Sequence, residues 1–173
     1  MNFHRPICCS IAAALLFLTL PAQAEQERSL DDVKKEVMRR AGRSNPFDGI
    51  RPADAEQVLK SITSLNRDEW AKAWCDIGLA YEAKGDELAK EGASPKEVGE
   101  LYNLAFNNCM VGRYPVASTT GKKDAYRHSV RMFRKAAAHF EVPLQIVEIP
   151  FEGKKLVGYL QCPSSDKLRQ MAA

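Results

Sequence analysis

The segment that most constrains this chain lies close to its C-terminus. After a long stretch of helical pattern, residues 144–163 read as one β-hairpin: Leu144 to Phe151, a Glu152-Gly153 turn, and Lys154 to Pro163. Val147, Ile149 and Phe151 alternate with Leu144 and Ile146, while Val157 and Tyr159 alternate with Leu156 and Leu160, so both strands read as apolar on both faces. A lone two-stranded hairpin is marginal in water and cannot bury two apolar faces. The segment is therefore expected to begin a larger sheet covered on both sides. The tail that follows, residues 164–173, is polar and encodes no further strand.

The other end sets an expected compartment. Residues 1–24 carry His4 and Arg5, an apolar run from Ile11 to Leu20, Pro21, and the small-x-small string Ala22-Gln23-Ala24. That is the pattern of a signal peptide cleaved before Glu25, and the run is shorter than the roughly 20 apolar residues that span a bilayer. The expectation is export to the periplasm or the medium, with no stable membrane anchor after cleavage. Cys8 and Cys9 would leave with the leader. Of 25 basic residues only Arg5 would be lost, against 22 acidic ones all retained, a balance that argues against an electrostatic nucleic-acid binder. Cys75, Cys109 and Cys162 remain, an odd number allowing at most one disulfide. Burial as small apolar side chains is the favoured reading; a pairing cannot be placed from sequence. No Cys-x-x-Cys or Cys/His spacing calls for zinc, and no other cofactor is implied.

Between the ends, local signals mark helices. Residues 25–52 hold a short helix and a linker: Ser29 as cap, acids in the first turn, basic residues in the last, a stop at Gly42, then turn-rich residues to Pro52. Residues 53–143 form a helical, cap-like region. A second helix is expected from Ala53 to Ile62, and a third begins at the Asn66–Glu69 capping box, running to about Lys90 before Gly92. A fourth begins at Ser94-Pro95-Lys96-Glu97 and reaches about Val111 before Gly112, and a fifth runs from about Lys122 to Phe140. Trp70, Trp74, Ile77 and Tyr81 share one helical face, as do Tyr126, Val130, Phe133 and Ala137, which suits antiparallel packing of a bundle. The fold class is mainly α, a bundle of about five helices followed by one hairpin.

Few residues carry a chemical signature. Trp74 to Tyr81 fits the opening of a tetratricopeptide repeat, with Ile77 in the Leu position, but its second half and any recurrence are missing. A helical peptide-binding module is therefore the alternative reading. Ser44, in Gly42-Arg43-Ser44, sits between helices where no strand could deliver a nucleophile. His128 and Ser129 are neighbours on a helix and diverge by about 100°, so they cannot pair as base and nucleophile. His139 near a helix end suits the dipole, and Arg127, Arg131, Arg134 and Lys135 read as a solvated basic face.

Three strings together resemble a known family: Leu101 to Pro115, Ala125 to Ala137, and Val147 to Leu160. They are similar to the N-terminal part of α/β-hydrolases of the FrsA-like esterase and dihydroxypseudooxynicotine-type carbon–carbon hydrolase kind. The resemblance implies a helical segment that helps cover an active site, followed by the first strands of the catalytic sheet. It places Asn107, Asn108, Arg113 and Tyr114 where such a segment approaches a small organic substrate. The oxyanion-hole loop, the Gly-x-Ser-x-Gly elbow and the acid and His of the triad do not occur here. The chain is thus expected to be the exported N-terminal portion of an ester or carbon–carbon bond hydrolase, inert alone, with a missing core or a second chain as its partner.

Overall fold

The computed structural model describes residues 28–162, so the leader at 1–24 and the tail at 164–173 lie outside the described residues. Five helices come first: α1 (Leu30–Arg40), α2 (Pro52–Ser61), α3 (Arg67–Lys90), α4 (Pro95–Arg113) and α5 (Thr120–Ala137). Two antiparallel strands follow, β1 (Gln145–Phe151) and β2 (Lys154–Leu160). This is the mainly helical architecture with one hairpin that the sequence predicts.

Capping chemistry fixes most boundaries. The Ser29 hydroxyl accepts from the Asp32 amide at the start of α1, and Gly42 takes a positive φ of 70° just beyond its end. Ser94 and Glu97 form the expected reciprocal capping box of α4. At the end of α3, Gly92 at φ 78° lets its own amide reach the Ala89 carbonyl and the Ala93 amide reach Leu88, a Schellman closure. One expected box is only half made. Asn66 accepts from the Asp68 and Glu69 amides, but Glu69 does not return to Asn66. Its carboxylate accepts from the Ser64 and Thr63 hydroxyls and the Thr63 amide, and these bonds hold its pKa at about 2.

The core of the bundle is α3, α4 and α5, with α4 antiparallel to both neighbours. Small residues let the axes close. A Cβ on Gly78 would stand 2.8 Å from the Ala105 carbonyl oxygen and 2.9 Å from Cys109 Sγ, so α4 crosses α3 at that point. The Trp74–Tyr81 string is accounted for by this packing: Trp74 is fully buried, Gly78 admits α4, and the Tyr81 hydroxyl donates to the Asp54 carboxylate of α2. Gly112 does not end α4 as expected; it lies inside the helix, where an added Cβ would meet the Ala71 carbonyl oxygen at 3.0 Å.

Three further expectations are corrected. The buried residues of α5 are Lys122, Ala125, Ser129, Met132, Ala136 and Ala137, so of the expected stripe Ala137 is buried while Tyr126 is exposed. Small side chains among the buried residues allow close approach to α4, and Phe133 turns to the flank, meeting Phe106, Phe140 and Tyr159. The basic stretch is not simply solvated. Arg131 donates to both Glu82 carboxylate oxygens, at 3.0 and 2.6 Å, and Lys135 bridges Glu82 and Asp86 at 2.9 and 2.7 Å. Finally, Cys75 and Cys109 are joined as a disulfide between α3 and α4, leaving Cys162 free and exposed just beyond β2 rather than within a strand.

The hairpin closes through Glu152 and Gly153, both at positive φ (46° and 72°), a two-residue turn that matches strand twist. Its register divides the faces more sharply than alternation alone does. Ile149 pairs with Leu156, Val147 with Gly158 and Gln145 with Leu160, so Val147, Ile149, Phe151, Leu156 and Leu160 share one apolar face. The opposite face is mixed: Ile146, Val157 and Tyr159 sit beside a Glu148–Lys155 ion pair of 2.5 Å. Both faces thus carry apolar residues, as expected, and both are interrupted, by Gln145 and Lys154 on the first and by Glu148 and Lys155 on the second.

Candidate functional site

The four residues singled out at the end of α4 point in different directions, as consecutive helical positions must. Asn107 leaves the bundle and donates to the Gly49 carbonyl at 3.2 Å, bracing the loop between α1 and α2. Asn108 is fully buried; its amide donates back to the Leu104 carbonyl at 2.9 Å, and its Oδ1 has no hydrogen-bond partner among the described residues. The Arg113 guanidinium lies 5.9 Å over the Tyr126 ring. Tyr114 lines a cavity.

That cavity, of about 640 Å³, opens between α1, the loop that follows it, the start of α3 and the entry to α5. Val37 and Phe47 form a buried apolar floor. Trp70 adds its indole, whose Nε1 donates to the Val111 carbonyl at 3.0 Å, so the ring offers carbon rather than a donor. Tyr114 and Pro115 close one side. Lys122 stands in the wall only 4% exposed, its ammonium donating to the Tyr114 carbonyl. Burial pushes its pKa down, the nearby Arg67 pushes the same way, and Asp68 opposes.

Sequence reasoning missed Lys122, Phe47 and Arg67. A signal for Lys122 was present: it stands three residues before Ala125 and seven before Ser129, a charge in line with the small residues of the buried stripe. Phe47 gives no such signal, because it lies in a loop whose path depends on tertiary contacts. The other candidates take structural places. Ser44 accepts from Arg40 Nε at 3.2 Å on the surface, and buried Ser129 donates to the Tyr126 carbonyl. The His139 ring packs 5.8 Å from that of Tyr102. No cluster of His, Cys, Asp and Glu suited to a metal ion occurs among the described residues.

The second surface of note is the apolar face of the hairpin. Ile149, Phe151 and Leu156 are each more than half exposed. The hairpin touches the bundle through Tyr159, whose ring meets Phe133 edge-on at 5.2 Å and whose hydroxyl accepts from Arg134 Nε at 3.3 Å; Gln161, just past β2, donates to the Val142 carbonyl in the linker that leads into β1.

Comparison with known proteins connects this arrangement to hydrolases. A hydrolase ORFZ from Pyricularia oryzae is 31% identical over 126 residues, covering 66% of this chain and 29% of the relative. An α/β-hydrolase ucsC from an Acremonium species is 23% identical over 141 residues, 75% of this chain and 28% of its own. The esterase FrsA of Vibrio vulnificus is 24% identical over 137 residues, 70% of this chain and 32% of its own. The chain thus spans about three-tenths of the length of these curated relatives. No family model matches. These similarities establish an α/β-hydrolase-like relationship at low identity.

Proposed function

We propose that the chain forms the helical, substrate-covering portion and first hairpin of an exported serine hydrolase acting on an ester or carbon–carbon bond of a small organic substrate. The observation that carries this reading is the hairpin. It follows a closed bundle, keeps its outer edges unpaired among the described residues, and presents an apolar face to solvent. A sheet continued from either edge and layered with helices would remove both features. The relationship to α/β-hydrolases supplies such a sheet. The buried Cys75–Cys109 disulfide supports the expectation of an oxidising compartment.

The catalytic step belongs to that sheet. In such a hydrolase a Ser Oγ, deprotonated by a His that a carboxylate orients, attacks the carbonyl carbon; the alkoxide or carbanion leaves with the proton, and water then releases the carboxylic acid. The 173 residues contain no Gly-x-Ser-x-Gly string, and the described serines already singled out serve local hydrogen bonds. This polypeptide by itself is therefore catalytically inert. Of the four residues at the end of α4, Arg113 and Tyr114 retain surface to offer a substrate, whereas Asn108 is enclosed.

Two measurements test the reading together. The purified chain should not turn over p-nitrophenyl acetate above the buffer rate; turnover abolished by replacing one of its own serines overturns the claim of inertness. Coding DNA downstream of the Ala173 codon, or a co-transcribed second frame, should encode Gly-x-Ser-x-Gly followed by an acid and a His. Absence of both from the genomic neighbourhood overturns the proposed partnership with a catalytic core.

A further inference from the structure

We infer that the cavity between α1, α3 and the entry to α5 is a binding site for a small carboxylate with an aromatic body. This goes beyond the hydrolase reading and does not rest on it. A volume of about 640 Å³ lies within the range of small-molecule pockets. The chemistry of the walls narrows the ligand. Val37, Phe47, Leu65 and Trp70 supply an apolar surface with aromatic rings on two sides, and the Trp70 donor is already spent on Val111. An aromatic body stacks there without stranding a polar group.

Charge in the cavity is divided. Arg67 and Lys122 stand on the α3 and α5 side, while Asp32 and Glu36 share the α1 side with Arg28 and Arg40. Both acids are engaged by groups of their own helix: Asp32 accepts from the Ser29 hydroxyl at 2.7 Å, and Glu36 accepts from Arg39 Nε and Nη2 at 2.8 and 2.6 Å. The Lys122 ammonium has three N–H donors and is held by the Tyr114 carbonyl, which leaves donors for a ligand at the cavity wall. Arg67 is exposed, and its Nη1 reaches only to the Ser118 hydroxyl at 3.4 Å, so its fork can turn to a carboxylate. A single planar anion satisfies Lys122 and Arg67. Inorganic phosphate carries charge but no aromatic body to lie against Phe47 and Trp70, so it should bind more weakly than naphthoate.

Isothermal titration of the full chain with 2-naphthoate, 2-naphthamide and inorganic phosphate tests this. Naphthoate should bind with one-to-one stoichiometry, and the neutral amide about tenfold or more weaker, the effect of losing one charge-assisted bond. Lys122→Met, which keeps the stem and removes the ammonium, should weaken naphthoate about tenfold. Arg67→Gln changes an exposed side chain, leaves the bundle folded, and should weaken it about threefold because that charge is solvated. Ile149→Lys on the hairpin should leave binding unchanged. Equal affinity for acid and amide, phosphate binding as tight as naphthoate, indifference to Arg67→Gln, or loss of binding in Ile149→Lys overturns the proposal. Should Lys122→Met fail to fold, Arg67→Gln and the acid–amide comparison decide it.

Discussion

The bundle and the hairpin solve the same problem with opposite success. In the bundle, Trp74 is entirely buried among Phe47, Trp70, Val58 of α2 and Ile62 at its C-terminal end, and the glycines of α3 and α4 let backbones approach within contact. In the hairpin, Ile149 and Phe151 remain 54% and 53% exposed although their strands are fully paired. Pairing between the two strands does not cover these side chains: helices bring three faces around a shared axis, whereas two strands alone have nothing to lay their apolar face against. The bundle covers its large apolar side chains, and the hairpin leaves Ile149 and Phe151 uncovered.

The largest expected effects should fall in the bundle. Trp74→Ala should lower unfolding free energy by about 3–5 kcal/mol, since a large cavity opens among residues that cannot all collapse into it. Removing the disulfide with Cys75→Ala/Cys109→Ala should cost about 3–4 kcal/mol, because the crosslink closes a loop of 34 residues in the unfolded chain. Chemical denaturation of both variants measures this. Values under about 1 kcal/mol for either would remove the contrast between a self-sufficient bundle and a dependent hairpin.

The glycine pattern shows why parts of this fold were legible and others not. Ser29, Ser94, Gly42 and Gly92 act locally, through caps and positive φ, and the sequence placed the helix ends they govern within a few residues. Gly112 failed as a stop signal because its reason is tertiary: Ala71 passes close to it on the next helix. The buried face of α5 failed similarly, since Ala125, Ser129 and Ala136 carry little hydrophobic signal and matter only because α4 presses against them. The Cys75–Cys109 pair needed the crossing of α3 and α4 at Gly78, which no spacing announces. For the candidate site, the residues at the end of α4 were chosen by resemblance alone, and helical geometry turned them apart.

A smaller effect concerns the ion-pair group on α3 and α5. Burial alone would push the Glu82 carboxyl up, but hydrogen bonds from Arg131 and Lys135 outweigh it and hold the pKa below the usual carboxylate range. Lys135 likewise lowers Asp86. A carboxyl with a depressed folded-state pKa binds protons more readily when unfolded, so its stabilisation is complete above the unfolded value, 4.5 for Glu82, and is lost as pH falls through the folded one. Glu82→Gln should cost about 1.5–3 kcal/mol at neutral pH, the range for bonds to a charged group, and much less near pH 2. Urea midpoints at the two pH values check the sign. An equal cost at both would mean that Glu82 acts through packing and not through charge.

The smallest effect on stability should come from the surface that carries the most functional meaning. Ile149 and Leu156 are cross-strand partners on the apolar face, both over half exposed. Replacing them with Lys and Glu would keep the pairing, exchange two apolar contacts for an opposite-charge pair, and change unfolding free energy by less than about 0.5 kcal/mol, as for other exposed positions. The same change should reduce binding of a dye for exposed apolar surface and suppress self-association, because the contiguous face from Val147 to Phe151 is interrupted. A drop in stability of about 2 kcal/mol or more would mean that this face is already covered within the chain, and the comparison between the two regions would fail. With stability unchanged and dye binding lost, the covering layer must come from outside the described elements, as a catalytic sheet and its helices would provide.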